Sequence, residues 1–364
     1  MPPHFIVRVL LFIPLLVYCA QATTVGEFTV TGKLAWNRHD PQNPKSVLDV
    51  CHYDFVVERR NREYRIHFVA IDGINQKNEI VGSDGIDNFF LRCSWPSWED
   101  RRQNRNYEEF GTVRGGAFPS SSIRAAQVLW LLFCSDNHFD SRTNHNPIPL
   151  TDVLFPVNSM TNIVSWMPNN PMIVESLQAF SPNFRLVNGQ PSSLPDTFKN
   201  GYLAYELNVI SRTNFDTIEY PVEAQFKQYS PNTTYPSVPS TSLLYYSADI
   251  SATSWSQRTA DESLLPQPKT SVVRVADWRF DLLEGGKTSD GSTPVIAYSM
   301  TNGVWRSRAD KGVKAEVVTM KKFYESKKNT IPRAWVRAVL LSAFAVLLLL
   351  LCWFFVREAR RKHS

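Results

Sequence analysis

The densest cluster of side chains that could do chemistry lies between residues 134 and 145. It contains Cys134, Asp136, His138, Asp140 and His145. Thiolate, imidazole and carboxylate groups bind zinc and other divalent metals, so we take His138, Asp140 and His145 as metal-ligand candidates. Their spacing matches no closed metal site, and the intervening Asn and Ser are typical of a solvated loop. A metal-dependent hydrolase that uses this cluster is therefore one alternative function.

Other catalytic patterns are incomplete or missing. Gly285-Gly-Lys-Thr288 resembles the end of a phosphate-binding loop, but the first glycine of that motif would fall at Asp281. The sequence contains neither a Gly-x-Ser-x-Gly elbow nor a His-Glu-x-x-His pair. We therefore expect no cofactor, and a binding protein is favoured over an enzyme.

The second candidate site is apolar. Ser121 and Ser122 are suitable N-caps for a helix over residues 123–134, and its second half, Val128-Leu-Trp-Leu-Leu-Phe133, is apolar on every side. Such a helix must pack against more than one surface or fill a concave one. Trp130 and Leu131 on this helix, with Phe89 on a predicted strand, are the candidate ligand-binding residues.

Strands dominate the elements that would position these residues. The aromatic share is 12%, which favours β-structure. Residues 64–70 alternate apolar and polar side chains, and Gly82-Ser-Asp-Gly85 is a hairpin turn signal. Strand patterns begin at residues 28, 53, 64, 79 and 89, and return at residues 202, 220, 243, 271 and 294.

The predicted fold is mainly β: a large curved antiparallel sheet or half-barrel with a packed helix, plus one C-terminal transmembrane helix. Residues 144–195 contain eight prolines and are expected to form loops and short helices, with 162–167 in one of them. Two β subdomains divided near residues 144–195 are the alternative architecture.

The N-terminus predicts export. Arg8 precedes an apolar run over residues 9–20, and Ala20-Gln-Ala22 provides the small residues that signal peptidase requires. Residues 1–22 are therefore a predicted signal peptide, with an uncleaved anchor as the alternative. The β-rich extracytoplasmic domain spans 23–303.

The C-terminus predicts membrane attachment. Residues 338–356 carry no charge and are long enough for one transmembrane helix. A basic stalk over 304–337 precedes them, and a basic tail over 357–364 follows, which the signal peptide orients to the cytoplasm. The chain is thus expected in the cell membrane with its N-terminal domain exported. Cleavage by a sorting transpeptidase is an alternative, although Ile331-Pro-Arg333 matches none of its motifs.

The charge limits the classes of binding partner, and the cysteine content limits the number of disulfides. The net charge of +5 is modest, and part of the excess lies in short loops such as the charged hairpin loop expected over 58–63, which contains Arg59, Arg60 and Arg62. In an exported protein such loops face anionic lipid, glycan or water, so no nucleic-acid partner is expected. Cys51, Cys93 and Cys134 remain outside the predicted terminal segments, and an odd number allows at most one intrachain disulfide.

Residues 28–93 carry a family resemblance. Tyr64-Arg-Ile-His-Phe68, then Glu79-Ile-Val-Gly-Ser-Asp-Gly85, then Phe89-Phe90 resembles a stretch of bacterial lipoprotein carriers of the LolA/LolB type. The resemblance implies a half-barrel around a helix that holds acyl chains in an apolar hollow without catalysis. This chain departs from those carriers in its second β-rich portion and its predicted transmembrane tail.

These observations predict a membrane-anchored envelope protein that binds a hydrophobic or polymeric ligand or a protein partner without catalysis. A lipid or another envelope protein is the expected partner, besides the membrane itself. A purely structural or assembly role is the remaining alternative.

Overall fold

The computed structural model describes residues 27–40, 42–43, 45–72, 78–94, 108–115, 124–135, 161–181, 184–187, 190–215, 218–231, 242–258, 262–280, 282, 294–328, 341–348 and 350. The chain divides into two compact units. The first contains residues 1–279 and 297–305, and the second contains 280–296 and 306–364. The predicted signal peptide, residues 1–22, lies outside the described residues.

The described elements are mostly strands. They are β1 Glu27–His39, β2 Val47–Arg60, β3 Glu63–Ala70, β4 Asn78–Ser83, β5 Asp87–Ser94, β6 Glu108–Gly115, β7 Thr161–Met167, β8 Asn170–Ser181, β9 Phe184–Val187, β10 Gln190–Ser193, β11 Tyr202–Phe215, β12 Ile218–Pro231, β13 Ser242–Gln257, β14 Val272–Asp277 and β15 Ile296–Thr301. The helices are α1 Arg124–Phe133 and α2 Lys311–Lys328, and a 3₁₀ turn spans Asp196–Phe198.

Thirteen strands form one sheet in the order β15-β14-β6-β5-β4-β3-β2-β1-β13-β12-β11-β8-β7, and β9 pairs with β10 separately. β14 and β6 run parallel, whereas β1 pairs antiparallel with both β2 and β13. Strands that precede residue 144 and strands that follow residue 195 therefore belong to the same sheet. The predicted mainly β fold class is confirmed.

The sheet is curved, and the position of α1 shows it. α1 contacts both β3 and β8, which lie six strand spacings apart in the sheet. In a flat sheet that separation would be roughly 30 Å, far more than the ~10–12 Å diameter of a helix. The sheet must therefore bend around α1, and the helix lies on its concave face.

Two sequence expectations are wrong. Residues 162–167, expected within a short helix, lie in β7, and Pro168 lies in the turn that leads to β8. Proline is tolerated here because a turn residue outside the strand pairing needs no backbone N–H for the ladder. The stretch 58–63, expected as a charged hairpin loop, is mostly strand, and only Asn61 and Arg62 form the turn. Asn61 has a φ of 55°, a conformation that Asn tolerates better than most residues.

Apolar side chains cover both faces of the sheet near β5. Phe90 belongs to the concave core, whereas the adjacent Phe89 packs against Trp305 on the other face, with ring centroids 5.4 Å apart. Residues 262–270 cover this second face. Gly82 allows their close approach, since a Cβ there would lie 2.6 Å from the carbonyl oxygen of Leu264.

The second unit contains α2 and a helical segment over residues 341–348. Asp310 caps α2, accepting a hydrogen bond from the backbone N–H of Val313 at 3.0 Å. Within the described residues, no helix combines the length and the apolar character needed to span a membrane. The predicted span 338–356 lies outside the described residues except for 341–348 and 350.

Candidate ligand-binding interior

α1 is enclosed on every side. All nine residues from Ala125 to Phe133 are buried, including Gln127 at 0% exposure. The helix predicted over 123–134 is confirmed over residues 124–133. Its second half has no polar face, and such a stretch is stable only when it is enclosed on every side. Trp130 and Leu131 are 0% and 1% exposed and belong to the concave core. Their predicted role in ligand binding stays a prediction.

Aromatic rings surround the C-terminal end of α1. The Phe133 ring lies 6.5 Å from Phe28, 6.1 Å from Phe55 and 5.6 Å from Trp255. Tyr220 packs on Trp255 with centroids 4.3 Å apart. These rings come from four strands, β1, β2, β12 and β13. They provide a deep apolar wall, because each large ring buries about 150–250 Å².

The N-terminal end of α1 meets a second aromatic group. The Arg124 guanidinium lies over the Tyr246 ring, 4.4 Å from its centroid, in a cation–π contact. Trp36 packs against both Tyr246 and Phe226, at 5.5 and 6.1 Å. Arg124 is half-buried, so this end carries the positive charge of the helix while the remainder is uncharged.

Arg59 attaches α1 to the sheet. Its side chain on β2 is 1% exposed and donates hydrogen bonds to three backbone carbonyls. They belong to Asn61 at 2.9 Å, Phe133 at 2.9 Å and Met172 at 3.2 Å. A cation at the C-terminus of a helix is also favoured by the helix dipole. Arg59 therefore joins the end of α1 to β2 and to β8.

Sequence reasoning assigned Arg59 to a solvent-facing basic loop, which is wrong. The signal that could have placed it is the alternation along β2. Phe55, Val57 and Arg59 have the same parity and share one face of the strand. A basic residue in phase with two core residues indicates a buried cation that needs carbonyl or carboxylate partners.

The hydroxyls near the interior are neutral. Burial raises the pKa of Tyr64 well above its ordinary value, and its hydroxyl donates a hydrogen bond to Asn88 Oδ1. Burial likewise raises the pKa of Tyr205 on β11. Both hydroxyls are therefore protonated near neutral pH.

The structure does not bring Phe89 together with Trp130 and Leu131. Phe89 is 3% exposed but lies on the opposite face, where the Arg279 guanidinium is 5.9 Å from its ring centroid. Adjacent residues of a strand point to opposite faces, so Phe90 rather than Phe89 contributes to the concave core.

The metal-ligand candidates His138, Asp140 and His145 lie outside the described residues. Cys134 lies within the described residues and is 6% exposed. Its backbone N–H donates a hydrogen bond to the Trp130 carbonyl at 2.8 Å, which adds one helical hydrogen bond after the end of α1. Among the residues that the structure describes, no three His, Cys, Asp or Glu side chains are grouped to hold a metal ion. No disulfide joins Cys51, Cys93 and Cys134.

Comparisons with known proteins show little similarity in sequence. No protein-family model matches the chain, and no curated protein matches it. Among solved structures, a LolA superfamily protein from Nitrosomonas europaea has a TM-score of 0.32 and 8% identity, covering 65% of this chain and 87% of that one. A DUF1329 family protein from Desulfovibrio piger has a TM-score of 0.31 and 11% identity, covering 68% and 91%.

The first of these structures carries the name of the superfamily that residues 28–93 resemble in sequence. At TM-scores near 0.3, neither match bears on what this chain binds.

Proposed function

We propose that this chain is a non-catalytic binding protein that accepts an apolar ligand of the acyl-chain class in its concave interior. The observation that carries the proposal is α1, a helix whose second half is apolar on every side and which fills the interior and is buried along Ala125–Phe133. The walls around it are the apolar and aromatic side chains that such a ligand would contact.

The helix has the properties of an exchangeable occupant. A ten-residue helix is too short to be stable alone in water, so packing maintains it. Side chains of α1 contact the walls, and Arg59 supplies hydrogen bonds to its C-terminal carbonyl. An acyl chain that shifted α1 would keep the walls buried, so the exchange would cost little of their hydrophobic stabilisation.

We also propose that the exported unit is attached to the membrane through residues 338–356. Residues 341–348 are helical, and the large apolar side chains among them are exposed: Leu341 by 70%, Phe344 by 60% and Leu347 by 56%. An exposed run of this kind is unfavourable in water and favourable in a bilayer.

The interior is tested by photo-crosslinking of the full chain in lipid nanodiscs that contain a fatty acid with a diazirine group on its acyl chain. We expect labelled peptides from α1 and from the concave faces of β1 and β13. Leu131→Ala widens the interior and should increase this labelling, whereas Ile163→Ala, at an exposed position of β7, should not change it. Labelling confined to residues 338–356 would contradict an internal ligand.

A thiol assay distinguishes a ligand beside α1 from a ligand that shifts it. Cys134 is buried at the end of the helix, so a variant in which Cys134 is the only cysteine reports its movement. Oleate in the discs should accelerate modification of Cys134 by a maleimide. If oleate binds and the rate of Cys134 modification stays the same, the ligand does not displace α1.

Membrane attachment has its own test. A chain that ends at residue 337 should appear in the soluble fraction, whereas the full chain should stay with membranes after alkaline carbonate washing. A truncated chain that folds and still resists the wash would show that residues 338–364 are not the anchor.

A further inference from the structure

A groove of about 570 Å³ lies on the face of the sheet opposite α1. That volume is within the range of small-molecule sites. Its lining includes Lys33 and Ala35 on β1, His52 on β2, Glu223 on β12 and Asp249 on β13. None of these side chains belongs to the concave core, where Leu34 and Ile250 point instead.

Strand register explains the depression in the sheet surface at the groove. Ala35 pairs with His52 on one side and Asp249 on the other, while Lys33 pairs with Ser251. The small Ala35 and Ser251 side chains therefore form the floor between longer neighbours. Ala35 is half-buried and Ser251 is exposed, so the floor is open to a ligand.

Two exposed isoleucines border the groove. Ile210 is 63% exposed and lies at a register irregularity of β11, where Val209 and Ser211 pair with consecutive residues of β12. The extra residue of such a bulge re-aims a side chain. Ile71 is 48% exposed and follows β3, where its N–H donates to the His52 carbonyl at 2.8 Å. Both side chains can contact an apolar group in the groove.

The carboxylates of the groove are oriented by neutral groups. Asp249 accepts hydrogen bonds from the side-chain amides of Gln225 at 3.0 Å and Asn37 at 3.3 Å. Glu223 accepts one from the Ser211 hydroxyl at 3.2 Å. Neutral donors hold these groups in place without cancelling their charge.

The third carboxylate is Asp72, which pairs with the His52 imidazole and also accepts the backbone N–H of His52 at 2.7 Å. Three carboxylates thus face one ammonium, that of Lys33, and one imidazole. The groove is negative overall while its floor and its two isoleucines are apolar.

We propose that this groove binds an organic cation with an attached apolar chain, of the alkylammonium class. The ammonium group would contact Asp249 and Glu223, and the alkyl chain would lie on Ala35 between the two isoleucines. Charge complementarity selects this occupant, because a carboxylic acid or a phosphate would be repelled by the same carboxylates. The groove and the interior are on opposite faces, so the proposal is independent of the function proposed for the interior.

The test is calorimetric titration of hexylammonium into the full chain in zwitterionic lipid nanodiscs, with protein-free discs as the blank. We expect saturable binding to one site, weakened by added salt. Hexanol and hexanoate have the same chain and should bind at least tenfold more weakly. Equal binding of hexanol would overturn the proposal, because the carboxylates would then contribute nothing.

Substitutions locate the site. Asp249→Asn keeps the size of the side chain, and we expect it to weaken hexylammonium binding at least tenfold. Glu223→Gln should act in the same direction and provides a second variant if the first fails to fold. The matched control is Glu108→Gln, an exposed carboxylate on β6 four strand spacings from β2 and outside the groove lining, which should leave binding unchanged. Loss of binding in the control, or none in the other two, would place the ligand elsewhere.

Discussion

His67 lies on β3, where it pairs with Val56 and Ile80 and is half-buried. Its pKa is lowered from 6.5, first by desolvation and then by the positive charges of Arg65 and Lys269. A lowered pKa means that the unfolded chain binds the proton more tightly than the folded chain does. Stability is therefore lost as the pH falls from 6.5 towards the folded-state pKa.

We predict that His67→Gln reduces the loss of unfolding free energy between pH 7.5 and pH 5.5. The amide fills a similar space and does not titrate. Urea unfolding at a series of pH values, followed by tryptophan fluorescence, measures the difference. Asp72 does not interfere: hydrogen bonds from His52 lower its pKa below 3.8, so its contribution is lost only in stronger acid. An unchanged pH slope in the variant would contradict the assignment.

At the scale of elements, α1 depends on the strands that enclose it. The second half of its sequence, residues 128–133, has no polar side chain, and Arg59 connects its last carbonyl to β2 and β8. Removing the guanidinium would leave three carbonyl groups without that donor, two of them at the junction of helix and sheet. Buried carbonyls that lose a charged donor are destabilising.

We predict that Arg59→Met lowers the free energy of unfolding by on the order of 3 kcal/mol. The matched control is Arg60→Met on the same strand. Arg60 points to the other face and pairs with Glu63 at 2.6 Å, in an ion pair that is partly exposed. Pairs of this kind contribute less than about 1 kcal/mol. Chemical unfolding measures the free energy of unfolding of both variants. Equal decreases in the two would show that the carbonyl hydrogen bonds of Arg59 contribute no more than a surface ion pair.

At the scale of the whole molecule, a pairing between segments distant in sequence joins the two halves of the sheet. β1 lies between β2 and β13, and the pair Lys33 with Ser251 joins residues more than two hundred positions apart. The two parts of the sheet, β15 to β1 and β13 to β7 in the strand order, cannot separate without breaking this pairing. β7 is different, because among the described strands it lies at the end of the order and pairs with β8 alone.

We predict that the amides of β1 and β13 exchange with solvent only through global unfolding, and that those of β7 exchange much earlier through local opening. Hydrogen exchange read by mass spectrometry compares the peptides directly. Equal protection of β1 and β7 would mean that the sheet opens as one unit from its edge.

Local patterns determined the elements of this fold. Alternation along β3, the turn at Gly82-Ser-Asp-Gly85 and the apolar second half of the helix predicted over 123–134 are properties of a few consecutive residues, and each was predictable for that reason. Enclosure of α1 also followed from its sequence, since no other arrangement would remove its apolar surface from water. The terminal segments 1–22 and 338–356 remain predictions from composition.

Tertiary structure decided which elements meet. β1 pairs with β13, and local sequence patterns do not predict which strands pair. The groove formed by Ala35, Glu223 and Asp249 could therefore not be predicted from the sequence. Phe89 was grouped with Trp130 because both are apolar, yet covering residues 262–270 make the opposite face of β5 a second buried surface. Arg59 is inside because three carbonyls converge on it from separate segments, which only the folded sheet brings together.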